Sequence, residues 1–195
     1  MARDRSSRPG AKPLRLFVAT DVPESIRVAV RDTVQPLRER FPKARWVSTP
    51  NQHVTLKFLG PTWPRLVGRV TQVVGEVAAT HQPFETHVGS FSAFPSERRA
   101  RVLWAGLDDP AGRFARIATS LQEALADDFP PEKRAFTPHL TVARFEPPVD
   151  VGELLEEAGV GSDRFPVDRI VLYQSTLRRP APIYEALAAF PLTGP

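Results

Sequence analysis

One four-residue pattern occurs twice in this chain of 195 residues. Residues 53–56 (HVTL) and 139–142 (HLTV) both read His, apolar, Thr, apolar, and a Thr-Pro step shortly precedes each. In an extended strand, alternate side chains point to opposite faces. Each copy would therefore present a histidine and a threonine on one face and two aliphatic anchors on the other. Two of the chain's four histidines fall in this pattern, which favours a functional repeat over two ordinary amphipathic strands.

Two imidazoles that face each other suit in-line displacement at phosphorus without a metal. One histidine, His53 or His139, would take a proton from attacking water, and the other would protonate the departing ribose oxygen. The hydroxyls of Thr55 and Thr141 would hold the non-bridging phosphate oxygens, whose charge grows in the transition state. A cyclic phosphodiester is a natural target because ring strain helps to expel the leaving oxygen. The residues alone do not orient the acid and the base.

Other catalytic chemistries find less support in the sequence. The chain has no cysteine, which excludes thiol catalysis, disulfides and cysteine-ligated metals. A zinc site built on His53 and His139 would need a third ligand from His81, His87 or a carboxylate, at no recognisable spacing. No Gly-Lys phosphate loop is present. We therefore expect no metal and no cofactor, and we interpret His81 and His87 as surface residues.

Two cationic residues follow the repeated motifs. Lys57 shares strand parity with His53 and Thr55, so it would reach the phosphate or an adjacent nucleotide. Arg144 is chemically the better phosphate ligand, but simple alternation puts it on the face opposite His139. The second motif has one more residue before its phenylalanine than the first, and a β-bulge after Val142 would absorb it and turn Arg144 into the cleft.

The basic charge is concentrated near the start of the chain. The net charge is +4, and residues 1–13 carry +3 of it, so the remainder is nearly neutral. We interpret residues 1–13 as a flexible basic tail. In the body, Arg98, Arg99 and Arg101 form one basic cluster, which is either a solvated loop or a contact to an RNA backbone. One nearby aromatic residue, Phe17, Trp46, Phe58 or Tyr173, would stack on a terminal base.

The elements that position the motifs follow from hydrophobic periodicity. Strands are predicted around 14–20, 44–47, 52–59, 84–94, 102–107, 140–145, 165–176 and 183–190. Helices are predicted over 21–41, with Asp21 as its cap and a kink at Pro36, and over 66–79, 112–128 and 151–158. Because many strands follow each other directly, the pattern favours an antiparallel α+β fold. No apolar run is long enough to span a bilayer, and the N-terminus lacks a secretory leader, so we expect a cytoplasmic protein.

The longer context of the motifs resembles the two-histidine (2H) phosphoesterase superfamily, in its RNA 2′,3′-cyclic phosphodiesterase (2′-5′ RNA ligase) branch. The stretches that carry the resemblance are LRLFVAT, RWVSTPNQHVTLKFLG, FPSERRARVLWAGL, FTPHLTVARF and LYQSTLRRPAPIYEAL, in order between residues 14 and 190. The resemblance implies one bilobed α+β domain over 14–195, whose pseudo-twofold-related lobes have antiparallel sheets and share a central cleft. It also implies metal-independent hydrolysis to a 2′-phosphomonoester, with His53 as proton donor and His139 as proton acceptor.

Several functional alternatives stay open at this point. The same residues would support 2′-5′ RNA ligation, or hydrolysis of a small cyclic phosphate such as ADP-ribose cyclic phosphate. A non-catalytic module that binds RNA ends is the alternative from another class, although a binder has no need of two proton-transfer groups. We expect RNA ends or nucleotide cyclic phosphates as partners and no membrane. A monomer is expected because the two lobes already supply both halves of the site.

Overall fold

The computed structural model describes residues 12–157 and 161–195. Its strands are β1 (Leu14–Asp21), β2 (Arg45–Trp46), β3 (His53–Thr62), β4 (Phe84–Thr86), β5 (Val88–Phe94), β6 (Ala100–Leu107), β7 (His139–Val149), β8 (Phe165–Val167), β9 (Arg169–Thr176) and β10 (Ile183–Pro191). Its α-helices are α1 (Glu24–Thr33), α2 (Gln35–Arg40), α3 (Pro64–Ala79), α4 (Arg113–Ala124) and α5 (Gly152–Glu157). The predicted tail lies outside the described residues except for residues 12 and 13, and so does the end of the predicted acidic helix, residue 158.

The main sheet is antiparallel and consists of two halves. Its strand order is β10-β9-β1-β3-β7-β6-β5, with β2 alongside β7. The two halves meet between β3 and β7 at one residue pair, Val54 opposite Leu140. Among the described residues, no other pair joins these two strands, so each half of the sheet is held to the other by this one pair beside both histidine motifs. The α+β, two-lobed architecture predicted from the sequence is confirmed.

Each half contains the same strand–helix–strand unit. In the first, β1 leads through α1 to β3, which pairs antiparallel with β1. In the second, β6 leads through α4 to β7, which pairs antiparallel with β6. Helix α3 packs against α4 and against β9 and β10. One apolar core, from Leu16 in β1 to Leu172 in β9, runs under both halves, so the two motif strands lie on a continuous rigid support.

Three predicted elements divide into two in the structure. The predicted strand over 84–94 breaks at His87, and that over 165–176 breaks at Asp168, because β4 and β8 leave the main sheet and pair with each other. The predicted helix over 21–41 breaks at Val34, where Pro36 falls in the first turn of α2. The predicted Asp21 cap is wrong: α1 begins after Pro23 without a side-chain cap, and Asp21 ends β1.

Candidate active site

The two histidine motifs lie side by side where the halves of the sheet join. His53 is the first residue of β3 and His139 the first of β7. The motif aliphatics are buried, with Val54 and Leu140 both fully inaccessible. The histidines and threonines, on the opposite face, are partly accessible. A cavity of about 520 Å³ opens at this face, and Thr55, His139, Thr141 and Arg144 line it. His53 does not line this cavity, and its ring packs beside it against Phe17 and Tyr184.

Both motif strands bulge immediately after the threonine. In β7, Trp104 pairs with Thr141 and Leu103 with Ala143, so Val142 is the extra residue. In β3, Ala19 pairs with Thr55 and Val18 with Lys57, so Leu56 is the extra residue. A bulge interrupts the alternation of side chains, which places two successive residues of each strand on the buried side. The bulge predicted after Val142 is therefore confirmed, and β3 has a matching bulge that the sequence analysis missed.

The bulges decide where the two cationic neighbours lie. Arg144 is exposed and lines the cavity together with His139 and Thr141. The strand parity expected for Lys57 is wrong, because the bulge at Leu56 moves this residue to the buried side, where it is 2% exposed. Lys57 nevertheless lines the cavity. Its strand equivalent in the second half is Ala143, and the equivalent of Arg144 is Phe58.

Each imidazole is oriented by a backbone carbonyl two residues earlier in the chain. The Nδ1 of His139 lies 2.8 Å from the carbonyl oxygen of Thr137. His53 makes the corresponding backbone hydrogen bond with Asn51. A neutral imidazole that donates from Nδ1 carries its lone pair on Nε2. The Nε2 atom of His139 is therefore the one available to accept or deliver a proton.

The aromatic surroundings of the two histidines differ. The His53 ring stacks on Phe17 at a centroid separation of 4.7 Å and meets Tyr184 edge-on at 5.2 Å. The His139 ring meets Phe94 edge-on at 5.4 Å and Trp104 at 5.9 Å. These contacts restrict ring rotation, which keeps each Nε2 in a defined position.

Burial lowers the pKa of both histidines. For His53 the pKa falls to about 4, mainly because burial penalises the imidazolium, while the hydrogen bond with the backbone of Asn51 and the charge of Asp21 oppose the fall. For His139 burial is again the main cause, and the positive charge of Arg144 lowers its pKa further. His53 therefore has a carboxylate among its charged neighbours, whereas His139 has a guanidinium.

The aromatic candidates separate clearly by exposure. Phe58 is 60% exposed and lines the cavity, so it presents a free ring to a ligand. Phe17 is buried, Trp46 packs against Phe145, and the hydroxyl of Tyr173 donates to Asp21 at 2.6 Å. Phe58 is therefore the residue of this group that is best placed to stack on a base.

The remaining predicted residues lie away from the cavity. Arg98 and Arg99 belong to a 3₁₀ turn before β6 and are exposed, as is Arg101. His81 hydrogen-bonds to Ser120 at 3.1 Å, and His87 lies 3.5 Å from the carboxylate of Asp108. Neither histidine lines the cavity that contains the motif residues.

The structure adds residues to the cavity wall that sequence reasoning did not identify. They are Thr119 and Gln122 on α4, and Glu132 and Arg134 in the segment before β7. The one sequence signal that could have suggested them is that they lie shortly before the second motif, in α4 and in the loop that follows it. Their approach depends on how α4 packs beside β3, which local periodicity does not reveal.

Two further properties concern metals and membranes. Among residues 12–157 and 161–195, no group of three or more His, Asp or Glu side chains is arranged to hold a metal ion. In the same described part of the chain, no helix is both long and apolar enough to cross a membrane.

Comparison with known proteins gives a consistent result. The family model described as the 2′-5′ RNA ligase superfamily matches residues 22–179. An RNA 2′,3′-cyclic phosphodiesterase of Methanothermobacter thermautotrophicus is 33% identical, over 92% of this chain and 99% of that protein. One from Archaeoglobus fulgidus is 32% identical, over 91% and 99% respectively. The crystal structure of TT0787 from Thermus thermophilus superimposes with a TM-score of 0.76 at 27% identity, covering 93% of this chain and 99% of TT0787.

Proposed function

The chain belongs to the 2′-5′ RNA ligase superfamily, and we propose that it is an RNA 2′,3′-cyclic phosphodiesterase that converts a terminal cyclic phosphate into a 2′-phosphomonoester. The observation that carries this proposal is the meeting of the two motif strands at Val54 and Leu140, which puts His53 close enough to His139 for the charge of His139 to lower the pKa of His53. Relatives that match nearly the whole chain are named for this activity.

The reaction needs one base and one acid at opposite ends of an in-line displacement. We assign His139 Nε2 to accept a proton from water as the water oxygen forms its bond to phosphorus. His53 Nε2 then gives its proton to the 3′ oxygen as the P–O3′ bond breaks. The hydroxyls of Thr55 and Thr141 and the guanidinium of Arg144 donate to the non-bridging oxygens.

The charged neighbours favour this orientation of the pair, although burial, the largest influence on His53, opposes it by lowering the pKa of that histidine. The carboxylate of Asp21 favours protonation of His53, and the guanidinium of Arg144 favours neutral His139. With its pKa near 4 in the protein alone, His53 is neutral at pH 7. An anionic cyclic phosphate beside it favours the imidazolium, so substrate binding itself promotes the protonated form that the donor role requires.

The test uses a synthetic oligoribonucleotide that ends in a 2′,3′-cyclic phosphate, incubated with the purified protein in EDTA. The proposal expects a 2′-monophosphate end, because loss of the 3′ oxygen leaves phosphate on the 2′ oxygen. A 3′-monophosphate would reverse the leaving-group assignment, and a requirement for added metal would overturn the two-histidine mechanism. Absence of any product with RNA and with small cyclic phosphates would favour the RNA-end-binding module.

A second strand with a 5′-hydroxyl in the same reaction tests for ligation. A longer product with a 2′-5′ linkage would show that the 5′-hydroxyl replaces water at His139. Localisation in the cytoplasm, monomeric state and the single bilobed domain over 14–195 belong to the same proposal. Size-exclusion chromatography with light scattering tests the monomer, with a dimer mass as the contradicting result.

A further inference from the structure

The cavity has a polar part whose side chains the proposed hydrolysis does not use. Lys57, Thr119, Gln122 and Glu132 line this part, which we call the inner pocket. It is formed where α4 packs beside β3. The proposed reaction involves the phosphate and the two histidines, so these four side chains need another explanation.

Lys57 is the most unusual member of the inner pocket. Its side chain is almost fully buried, and its Nζ has no hydrogen-bond partner among residues 12–157 and 161–195. A buried ammonium without a partner is costly, and its strand equivalent Ala143 shows that an apolar residue fits this position of the bulge. Burial lowers the pKa of Lys57, as expected for an amine held away from water. The missing acceptor is therefore one that a bound ligand would bring.

The charge of the inner pocket indicates what kind of ligand that is. Glu132 is the acidic residue whose charge opposes the fall in the pKa of Lys57, so a cation and an anion line the same space. A second phosphate would meet the Glu132 carboxylate and be repelled. A neutral group with an acceptor beside a donor satisfies both residues, and a nucleobase edge has this arrangement.

We propose that the inner pocket reads the base of the terminal nucleotide, with Lys57 donating to a carbonyl oxygen and Glu132 accepting from the adjacent ring N–H, so that guanine and uracil are preferred over adenine and cytosine. This inference rests on the proposed function for the identity of the ligand. The exposed ring of Phe58 on the same cavity provides a stacking surface for that base.

The preference follows from the hydrogen-bonding edges of the four bases. Guanine and uracil place a carbonyl oxygen next to a ring N–H, which complements an ammonium and a carboxylate. Adenine and cytosine place an amino group next to a ring nitrogen lone pair, so the amino group would face the ammonium and the lone pair the carboxylate. The Oε1 of Gln122 already accepts from the backbone N–H of Glu132 at 2.8 Å, so the free amide nitrogen of Gln122 is a further donor in the inner pocket.

The experiment measures binding of the four 2′-nucleoside monophosphates by titration calorimetry, which requires no turnover. A good base contact discriminates by about 1–3 kcal/mol, so roughly five- to a hundredfold tighter binding is expected for the guanosine and uridine nucleotides. In Lys57→Met this ratio should fall to about one. Lys43→Met removes an exposed lysine outside the cavity and should leave the ratio unchanged.

Several results would overturn the inference. Equal binding of all four nucleotides by the wild type would do so, and so would a preference that survives in both Lys57→Met and Glu132→Gln. If Lys57→Met weakens the binding of inorganic phosphate as much as it weakens the binding of the nucleotides, Lys57 binds phosphate and not the base. Turnover of the cyclic-phosphate RNA is scored separately, so a base preference without hydrolysis would reject the proposed function while supporting the inner pocket.

Discussion

The two motif strands, β3 and β7, have the same backbone pattern through the motif and the bulge, but they differ in the residues that follow the bulge. Each has a histidine bonded back to the chain, a threonine two residues later and an extra residue at the next position. After the bulge, β3 has Lys57 and Phe58 where β7 has Ala143 and Arg144. The reaction proposed here needs one acid and one base, and the residues that follow each bulge are where the two strands differ in charge.

The charged neighbours of the two histidines differ in the same way. Asp21 is the register partner of His53, and its charge raises the pKa of that histidine. Arg144 lowers the pKa of His139. The repeated strands therefore position two identical side chains, and neighbours that are not repeated give the two imidazoles different electrostatic surroundings. Substitutions of the two histidines and of these neighbours test whether the asymmetry has the chemical meaning assigned to it.

The largest expected effect comes from removing either imidazole. His53→Ala and His139→Ala should each lower kcat on an RNA 2′,3′-cyclic phosphate by about 10²- to 10⁴-fold, because each removes one proton transfer. The measurement is a single-turnover assay at saturating protein. A variant with His81→Ala provides the control, since that histidine hydrogen-bonds to Ser120 and belongs to neither motif. If either motif variant kept the full activity of the unsubstituted protein, the assignment of these two histidines as acid and base would be wrong.

The next effect concerns Arg144, which β3 lacks. Arg144→Met should lower kcat/KM by roughly ten- to a hundredfold, because a hydrogen bond to a charged group contributes about 1.5–3 kcal/mol. Arg45→Met is the matched control, because Arg45 is paired with Arg144 across β2 and β7 but is bound to Glu146 at the surface. If both variants lose the same activity, the effect is general electrostatics and Arg144 does not bind the phosphate.

The sequence predicted the repeated part of this comparison better than the unrepeated part. The two motif strands, the family and the antiparallel α+β architecture were correctly predicted, because they depend on local pattern and on a resemblance that spans most of the chain. The bulge at Val142 was predicted from a one-residue difference in spacing. The spacing in the first motif gives no sign of the bulge at Leu56, so Lys57 was assigned to the wrong face of its strand.

The residues of the inner pocket were missed for a different physical reason. Gln122 and Glu132 come near Lys57 only because α4 packs beside β3, the motif strand of the other half. Hydrophobic periodicity identifies which face of α4 is buried, but it does not specify the strand that this face meets. The separation of β4 and β8 from the main sheet was missed for the same reason. The strands break at His87 and Asp168 because β4 and β8, which are far apart in sequence, pair with each other.

The pH dependence of stability tests the environment of His53. Its pKa lies near 4 in the folded protein and near 6.5 when unfolded, so between these values the unfolded chain binds more protons. Stability therefore rises with pH across this window and is lost as the pH falls from 6.5 towards 4. We expect a loss of about 3 kcal/mol from this residue, measured by urea unfolding. His53→Gln should flatten the dependence, and an unchanged slope would contradict the lowered pKa.

The smallest effect expected comes from Asp21, the carboxylate that distinguishes the surroundings of His53. Asp21→Asn keeps an oxygen that can accept the hydrogen bond from Tyr173 but removes the charge that raises the pKa of His53. The His53 pKa should fall further, so less of the donor is protonated at a given pH, and kcat/KM should decrease by less than about tenfold above neutrality.

The profile of kcat/KM against pH is the measurement that separates this electrostatic role from a structural one. Loss of the charge should move the limb assigned to His53 to lower pH, whereas loss of packing would lower activity equally at every pH. Asp32→Asn, which removes an exposed carboxylate bound to Arg31 on α1, should leave the profile in place. A uniform decrease in Asp21→Asn would remove the electrostatic reason for assigning the donor role to His53, and the choice between the two histidines would then depend on which phosphomonoester the RNA assay yields.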